Sequence, residues 1–173
     1  KKFIENLSIT DPLTKLYNRR YFDDIFYKEL NRAKRDKTNF CLLSLDVDYF
    51  KFYNDTYGHQ EGDIVLQTIS KILMLNLKRP SDFSFRMGGE EFSAIFTMSE
   101  DKEIYEFSEY IRKSIEDTKI KHKKNSVSQF ITVSIGVVFV DFSKNHEMNI
   151  LKKDLYKYSD ELLYKAKASG RNK

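Results

Sequence analysis

Residues 83–97 read Phe83-Ser84-Phe85-Arg86-Met87-Gly88-Gly89-Glu90-Glu91-Phe92-Ser93-Ala94-Ile95-Phe96-Thr97. Phe83, Phe85 and Met87 alternate with polar residues, and Phe92, Ala94 and Phe96 do the same. That is the period of two expected of strands. Gly88-Gly89 between the runs is a hairpin signal, because glycine accepts the positive φ of primed turns. The stretch therefore predicts antiparallel strands over 83–87 and 92–97.

Helical periodicity surrounds this hairpin. Asn18 is an N-cap candidate for a helix over 19–36, with Phe22, Phe26, Leu30 and Ala33 on one face. Residues 40–47 form a short apolar run that reads as a buried strand. Val65, Ile69, Ile72 and Leu73 mark a helix over 61–78, and Ile104, Phe107, Ile111 and Ile115 one over 100–117. Residues 129–140 are rich in β-branched residues and predict a strand. A last helix over 149–168 shows Leu151, Leu155, Tyr158 and Leu162, with Gly170 at its C-terminal cap. Residues 1–10 read as the last turns of an upstream helix or linker, broken at Asp11-Pro12. The remainder, 11–173, reads as one domain. The order predicts an α+β fold, helices flanking a central, mostly antiparallel sheet.

The chain has 173 residues, 30 Lys plus Arg against 26 Asp plus Glu, and a formal charge of +4. The mild excess suits an anionic partner without naming one. One cysteine, Cys41, excludes an internal disulfide and a multi-Cys zinc site. It reads as a buried small hydrophobe. No run approaches 18 apolar residues, so no spanning helix is expected. Lys119, Lys121, Lys123 and Lys124 read as a solvated loop rather than a nucleic-acid patch.

The chemistry lies in three places. Asp46-Val47-Asp48 ends the apolar strand, an odd terminus on packing grounds alone. Residues two apart lean to one face, and like charges that close need a cation or protons between them. The alternative is a solvated strand end. Asn54 and Asp63 are side-chain types able to read a guanine edge, although Asp63 could simply favour a helix N-terminus. Glu90 and Glu91 lie on the hairpin turn. If that turn meets the end of strand 40–47, Glu90 and Asp46 make a pair suited to Mg²⁺, which takes one or two carboxylates plus waters and substrate phosphates. Two such ions support in-line displacement at phosphorus. No Walker loop is present. Lys51, Lys167 and Arg171 are candidate phosphate ligands, and amides around 48–51 could form a nest.

Five ordered blocks carry a family resemblance: 11–20 (Asp11-Pro12-Leu13-Thr14 to Arg20), Asp46 through Asp63, Arg86 through Phe92, Ser134-Ile135-Gly136, and Tyr164 through Asn172. Together they resemble a GGDEF-family diguanylate cyclase domain, in its Gly-Gly-Glu-Glu-Phe variant. The resemblance implies a polymerase-palm, nucleotidyl-cyclase-like fold. It implies condensation of two GTP into cyclic di-GMP with release of two pyrophosphates. It places Asp46, the Val47 carbonyl and Glu90 on Mg²⁺ or Mn²⁺, two ions per active site. Glu90 becomes the base toward the ribose 3′-hydroxyl, and Lys51 steadies charge on the phosphates. Asn54 and Asp63 read guanine, His59 lies on the substrate side, and Lys167 and Arg171 hold terminal phosphates. Lys15 departs from the small residue often found at that turn.

Arg79-Pro80-Ser81-Asp82 resembles the family's inhibitory product site, which assigns cyclic di-GMP to Arg79 and Asp82; read bare, it is a surface turn. The twofold product implies a homodimer of half-sites in a cytoplasmic output domain of a larger signalling protein. No nucleic acid and no membrane contact by this segment are expected. The competing readings are a silent cyclic di-GMP-binding module, a cyclase taking another nucleotide such as ATP, and a basic nucleic-acid binder.

Overall fold

A computed structural model describes residues 8–144 and 151–173. Its elements run β1 (Tyr17–Asn18), α1 (Arg19–Asp36), β2 (Asn39–Val47), α2 (Phe50–Tyr57), α3 (His59–Asn76), β3 (Phe83–Gly88), β4 (Glu91–Phe96), α4 (Asp101–Glu116), β5 (Val133–Asp141) and α5 (Lys152–Ala168). The sheet order is β1-β3-β4-β2-β5. Among the described residues only the short β1–β3 pairing is parallel, and every other neighbouring pair of strands is antiparallel. The expected α+β sandwich of helices on a mostly antiparallel sheet is what forms. Among the described residues no helix is long and apolar enough to cross a membrane.

Strand parity sorts the core into two layers. Cys41, Leu43, Leu45 and Val47 of β2 pack with Val65, Ile69 and Leu73 of α3 and Ile104, Ile111 and Ile115 of α4. Phe40 and Leu42 pack the other way, against Phe22, Phe26 and Leu30 of α1 and Leu155 of α5. Both faces of β2 are covered, so its sequence is almost continuously apolar rather than alternating. The α1 boundary follows from Asn18, whose side-chain oxygen accepts from Tyr21 N at 3.0 Å.

Four expectations need correction. The strand placed at 129–140 starts only at Val133, and residues before it form a loop with a single bridge, Lys121 to Phe130. The buried face of α5 is Leu155, Ser159 and Leu163, not the stripe through Tyr158 and Leu162, which are 54% and 38% exposed. The reason is Gly136: a Cβ there would lie 2.7 Å from the Ser159 carbonyl and against the Leu163 amide. The helix rests on bare backbone, with Ser44 and Ser159 hydroxyls 2.5 Å apart in the contact. The short helix α2 was not anticipated. Finally, residues 8–10 of the expected leader helix are not helical, and Thr10 bridges Tyr17; residues 1–7 lie outside the described residues.

Candidate active site

The end of β2 and the β3–β4 hairpin meet, as the carboxylate-pair reading requires. Asp46 is the register partner of Glu91, and Val47 N–H donates to the Glu90 carbonyl at 3.4 Å. The hairpin loop is Gly89-Glu90, between the paired residues Gly88 and Glu91. Gly88 (φ +149) and Gly89 (φ +52) take left-side conformations, whereas Glu90 does not. A type I′ turn would need Glu90 there too. A Cβ on either glycine would meet nothing within 4 Å, so they serve the turn and leave open space above it.

Asp46 is 6% exposed. Its even parity turns it toward α5, where Lys167 Nζ lies 2.7 Å from Oδ1. Burial pushes its carboxyl up to about 6; the Lys167 ammonium opposes that rise, and Glu90 and Glu91 add to it. A divalent ion at this carboxylate would have to share it with, or displace, the Lys167 ammonium that already neutralises it. Among the described residues no group of three or more His, Cys, Asp or Glu could hold a metal. An ion at Asp46, the Val47 carbonyl and Glu90 would complete its shell from water and phosphate oxygens, as suits Mg²⁺.

Asp48 does not share that site, contrary to the two-carboxylate reading. The strand stops at Val47, and Asp48 turns inward. There its carboxylate accepts from Thr132 Oγ1 (2.8 Å), Ser134 Oγ (2.7 Å) and Asn172 N (3.1 Å). Its N–H is taken up by the Thr132 carbonyl. Any anion-binding amides therefore begin with α2, whose first N–H groups lack intrahelical acceptors.

On the α2–α3 side of the hairpin lies a cleft of about 400 Å³. Lys51, Asn54, His59, Asp63 and Glu90 all line it. Asn54 Oδ1 is buried and unpartnered among the described residues, a costly state unless a ligand donates to it. Lys167 and Arg171 do not line this cleft. Lys167 opens onto a separate cavity beside Arg19, Glu91 and Asp160. The Arg171 guanidinium lies on the Tyr49 ring, 4.5 Å from its centroid.

The family model for the diguanylate cyclase GGDEF domain matches residues 8–173. The chain belongs to the GGDEF family. It is 39% identical over 163 residues to the diguanylate cyclase DosC of Escherichia coli, covering 94% of this chain and 34% of that protein. It is 33% identical to diguanylate cyclase A of Treponema denticola, covering 96% and 44%. The chain thus spans between about a third and a half of these curated relatives. Among solved structures it is similar to the GGDEF domain of DgcB from Caulobacter crescentus in complex with c-di-GMP. The identity there is 33% and the TM-score 0.81, covering 96% of this chain and 94% of that one. It is also similar to the active GGEEF domain of a Vibrio cholerae diguanylate cyclase, at 31% identity and TM-score 0.70, covering 90% and 93%. These neighbours carry the expected palm-like cyclase fold.

In this GGDEF domain Arg79 and Asp82 stand apart from the cleft, on the turn between α3 and β3. Arg79 Nε donates to Asp82 Oδ2 at 3.1 Å, and Nη2 donates to the Thr97 carbonyl at 2.7 Å. The Asp82 side chain is almost covered, while Arg79 stays half exposed.

Sequence reasoning missed the braces. Asp11 caps Thr14 through its Oδ2 (2.8 Å) and pairs with Arg86 (3.2 Å), whose Nε donates to the Gly89 carbonyl at 3.0 Å. The Asp11-Pro12 turn therefore holds the hairpin that carries Glu90. Gly62 in α3 packs where a Cβ would overlap Asn54 Oδ1. A glycine inside a helical pattern was the available signal for that close approach.

Proposed function

We propose that this GGDEF domain is a diguanylate cyclase that condenses two GTP into cyclic di-GMP and releases two pyrophosphates. The observation that carries the reading is the contact of the β2 end with the Glu90 turn, where Val47 N–H donates to the Glu90 carbonyl, beside a cleft whose wall offers Glu90, Asp63 and an unpartnered Asn54 side-chain carbonyl. Asn54 and Asp63 bind guanine: Asp63 accepts hydrogen bonds from N1–H and the exocyclic amine, and Asn54 Oδ1 accepts a further one from that amine. Lys51 steadies the phosphates from the cleft side. Lys167 and Arg171 hold the terminal phosphates from the α5 side. Glu90 takes the proton of a ribose 3′-hydroxyl as its oxygen bonds to the α-phosphorus of the other GTP and the bond to pyrophosphate breaks. Asp46, the Val47 carbonyl and Glu90 would hold two Mg²⁺ or Mn²⁺ ions, which would supply charge neutralisation on the phosphates.

One domain holds one GTP, so the symmetric product calls for two domains with nucleotides antiparallel. Product feedback is assigned to Arg79 and Asp82, where cyclic di-GMP would engage the half-exposed guanidinium. The DgcB domain's complex with c-di-GMP supports product binding as a property this fold permits. A role as the cytoplasmic output of a longer signalling protein fits the share of its relatives that the chain covers.

The test is incubation with GTP and Mg²⁺ over a range of protein concentrations, with products separated by chromatography. Cyclic di-GMP should form at a rate rising faster than linearly with protein, and Glu90→Ala should abolish it without lowering Tm. Product from Glu90→Ala at the native rate would remove the catalytic assignment. A strictly linear rate down to nanomolar protein would remove the half-site.

A further inference from the structure

Tyr49 lies between β2 and α2 with φ +54, a left-handed conformation that is strained for a bulky residue. Its surroundings determine it from four sides. The carbonyl accepts from His122 Nε2 at 3.1 Å, and the phenol oxygen accepts from Ser126 Oγ at 2.8 Å. The ring lies nearly parallel to Phe52, at 14° and 6.1 Å. On the ring rests the Arg171 guanidinium, 4.5 Å from the centroid. His122 is fully buried with Nδ1 unpartnered among the described residues, so it is held as a neutral imidazole donating from Nε2. Arg171 is itself left-handed (φ +61).

We propose that Tyr49 is a positioning residue that presents Arg171 to the triphosphate, an inference resting on the assignment of Arg171 to the terminal phosphates. Among the described residues Arg171 makes no ion pair with a carboxylate, and the one hydrogen bond of its guanidinium is a long 3.5 Å contact to the Lys167 carbonyl. A carboxylate partner would occupy the guanidinium fork. An aromatic face fixes the plane of the cation and leaves its N–H donors available to an anion. The arrangement is more than an anchor for the last residues, because Asp48 already performs that task through Asn172 N. Ser126 and His122 extend the support into the loop preceding β5.

The experiment measures GTP and GMP binding by calorimetry with Mg²⁺ in a Glu90→Ala background, which prevents turnover, for Tyr49→Leu, Tyr49→Phe, Arg171→Ala and the Tyr49→Leu/Arg171→Ala pair. Tyr49→Leu should weaken GTP about fivefold and leave GMP, which lacks the terminal phosphates, unchanged. Tyr49→Phe keeps the ring and should stay near the parent. The double variant should bind GTP no worse than Arg171→Ala alone. Equal loss for GTP and GMP, a Phe variant as weak as Leu, or additive losses in the pair would each overturn the positioning role while leaving Arg171 on the phosphates. GTP binding unaffected by Arg171→Ala would overturn the phosphate assignment and the positioning role together. Should Tyr49→Leu fail to fold, the comparison of Tyr49→Phe with Tyr49→Trp under the same two ligands decides.

Discussion

Replacing Gly62 with alanine separates substrate recognition from stability. The new Cβ would overlap Asn54 Oδ1 and stand 3.0 Å from Asn54 Cγ and 3.2 Å from Phe50 Cζ. The obstacle is the end of a side chain rather than backbone, so the carboxamide turns away and the helix stays. Alanine gains ~1 kcal/mol over glycine inside a helix, and crowding costs ~1–3 kcal/mol. Stability should therefore change by no more than about 2 kcal/mol. Asn54 loses the orientation that offers Oδ1 to a guanine. One hydrogen bond is worth ~0.5–1.5 kcal/mol, so KM for GTP should rise about 2- to 12-fold at a tenfold change per ~1.4 kcal/mol. Thermal melting together with steady-state kinetics on GTP and inosine triphosphate tests this. Inosine triphosphate lacks the exocyclic amine, so the variant should discriminate between the two nucleotides less than the parent does. An unchanged KM for GTP, or undiminished discrimination, would refute the assignment of Asn54 Oδ1 to the base.

Gly136→Ala should behave oppositely: its Cβ meets the backbone of α5, so we expect a loss of about 3 kcal/mol and a Tm lower by about 9 °C, read by calorimetry. Lys15 holds φ +64, and Lys15→Gly should gain ~1 kcal/mol in urea denaturation from relief of left-handed strain; a loss would show that contacts of the lysine outweigh the strain. Burial pushes the His122 imidazole below its ordinary value of 6.5, outweighing the Tyr49 carbonyl and Asp48, which pull it up. The unfolded chain then binds a proton near pH 6.5 that the folded one refuses, so stability is present above that pH and falls on acidification, by up to ~1.4 kcal/mol per pH unit. Asp46, raised to about 6, acts in the opposite sense between about pH 4 and 6, so the comparison is between slopes. His122→Phe should flatten the decline between pH 7 and 5, and an unchanged slope would show that His122 titrates as freely folded as unfolded.

The elements legible in the sequence were those whose neighbours impose an ordinary period. Phe22, Phe26, Leu30 and Ala33 face one sheet layer, and their spacing marks α1 to the residue. The alternation of β3 and β4 and the glycines between them located the hairpin. The helix α2 was illegible because Tyr49 to Tyr53 is aromatic at four of five positions, with no periodicity to separate helix from strand. The α5 face was misjudged because Leu151, Tyr158 and Leu162 form as apolar a stripe as the one buried. A glycine on another element decided between them. Asp46 and Asp48 looked equivalent by parity, yet the strand ends between them and two hydroxyls and an amide capture the second. The pairing of Asp46 with the hairpin acids was legible because it needed only antiparallel register. The Asp11–Arg86 brace was not, since it joins residues 75 positions apart.

The last residues of this chain are structural members. Asn172 N–H reaches Asp48 across 124 positions, and its carboxamide links Arg112 to Glu116. The Lys173 carbonyl accepts from Ile135 N. Losing the contacts of Asn172 and Lys173 together would thus cut threads stitched into the strand-end turn, α4 and β5 at once.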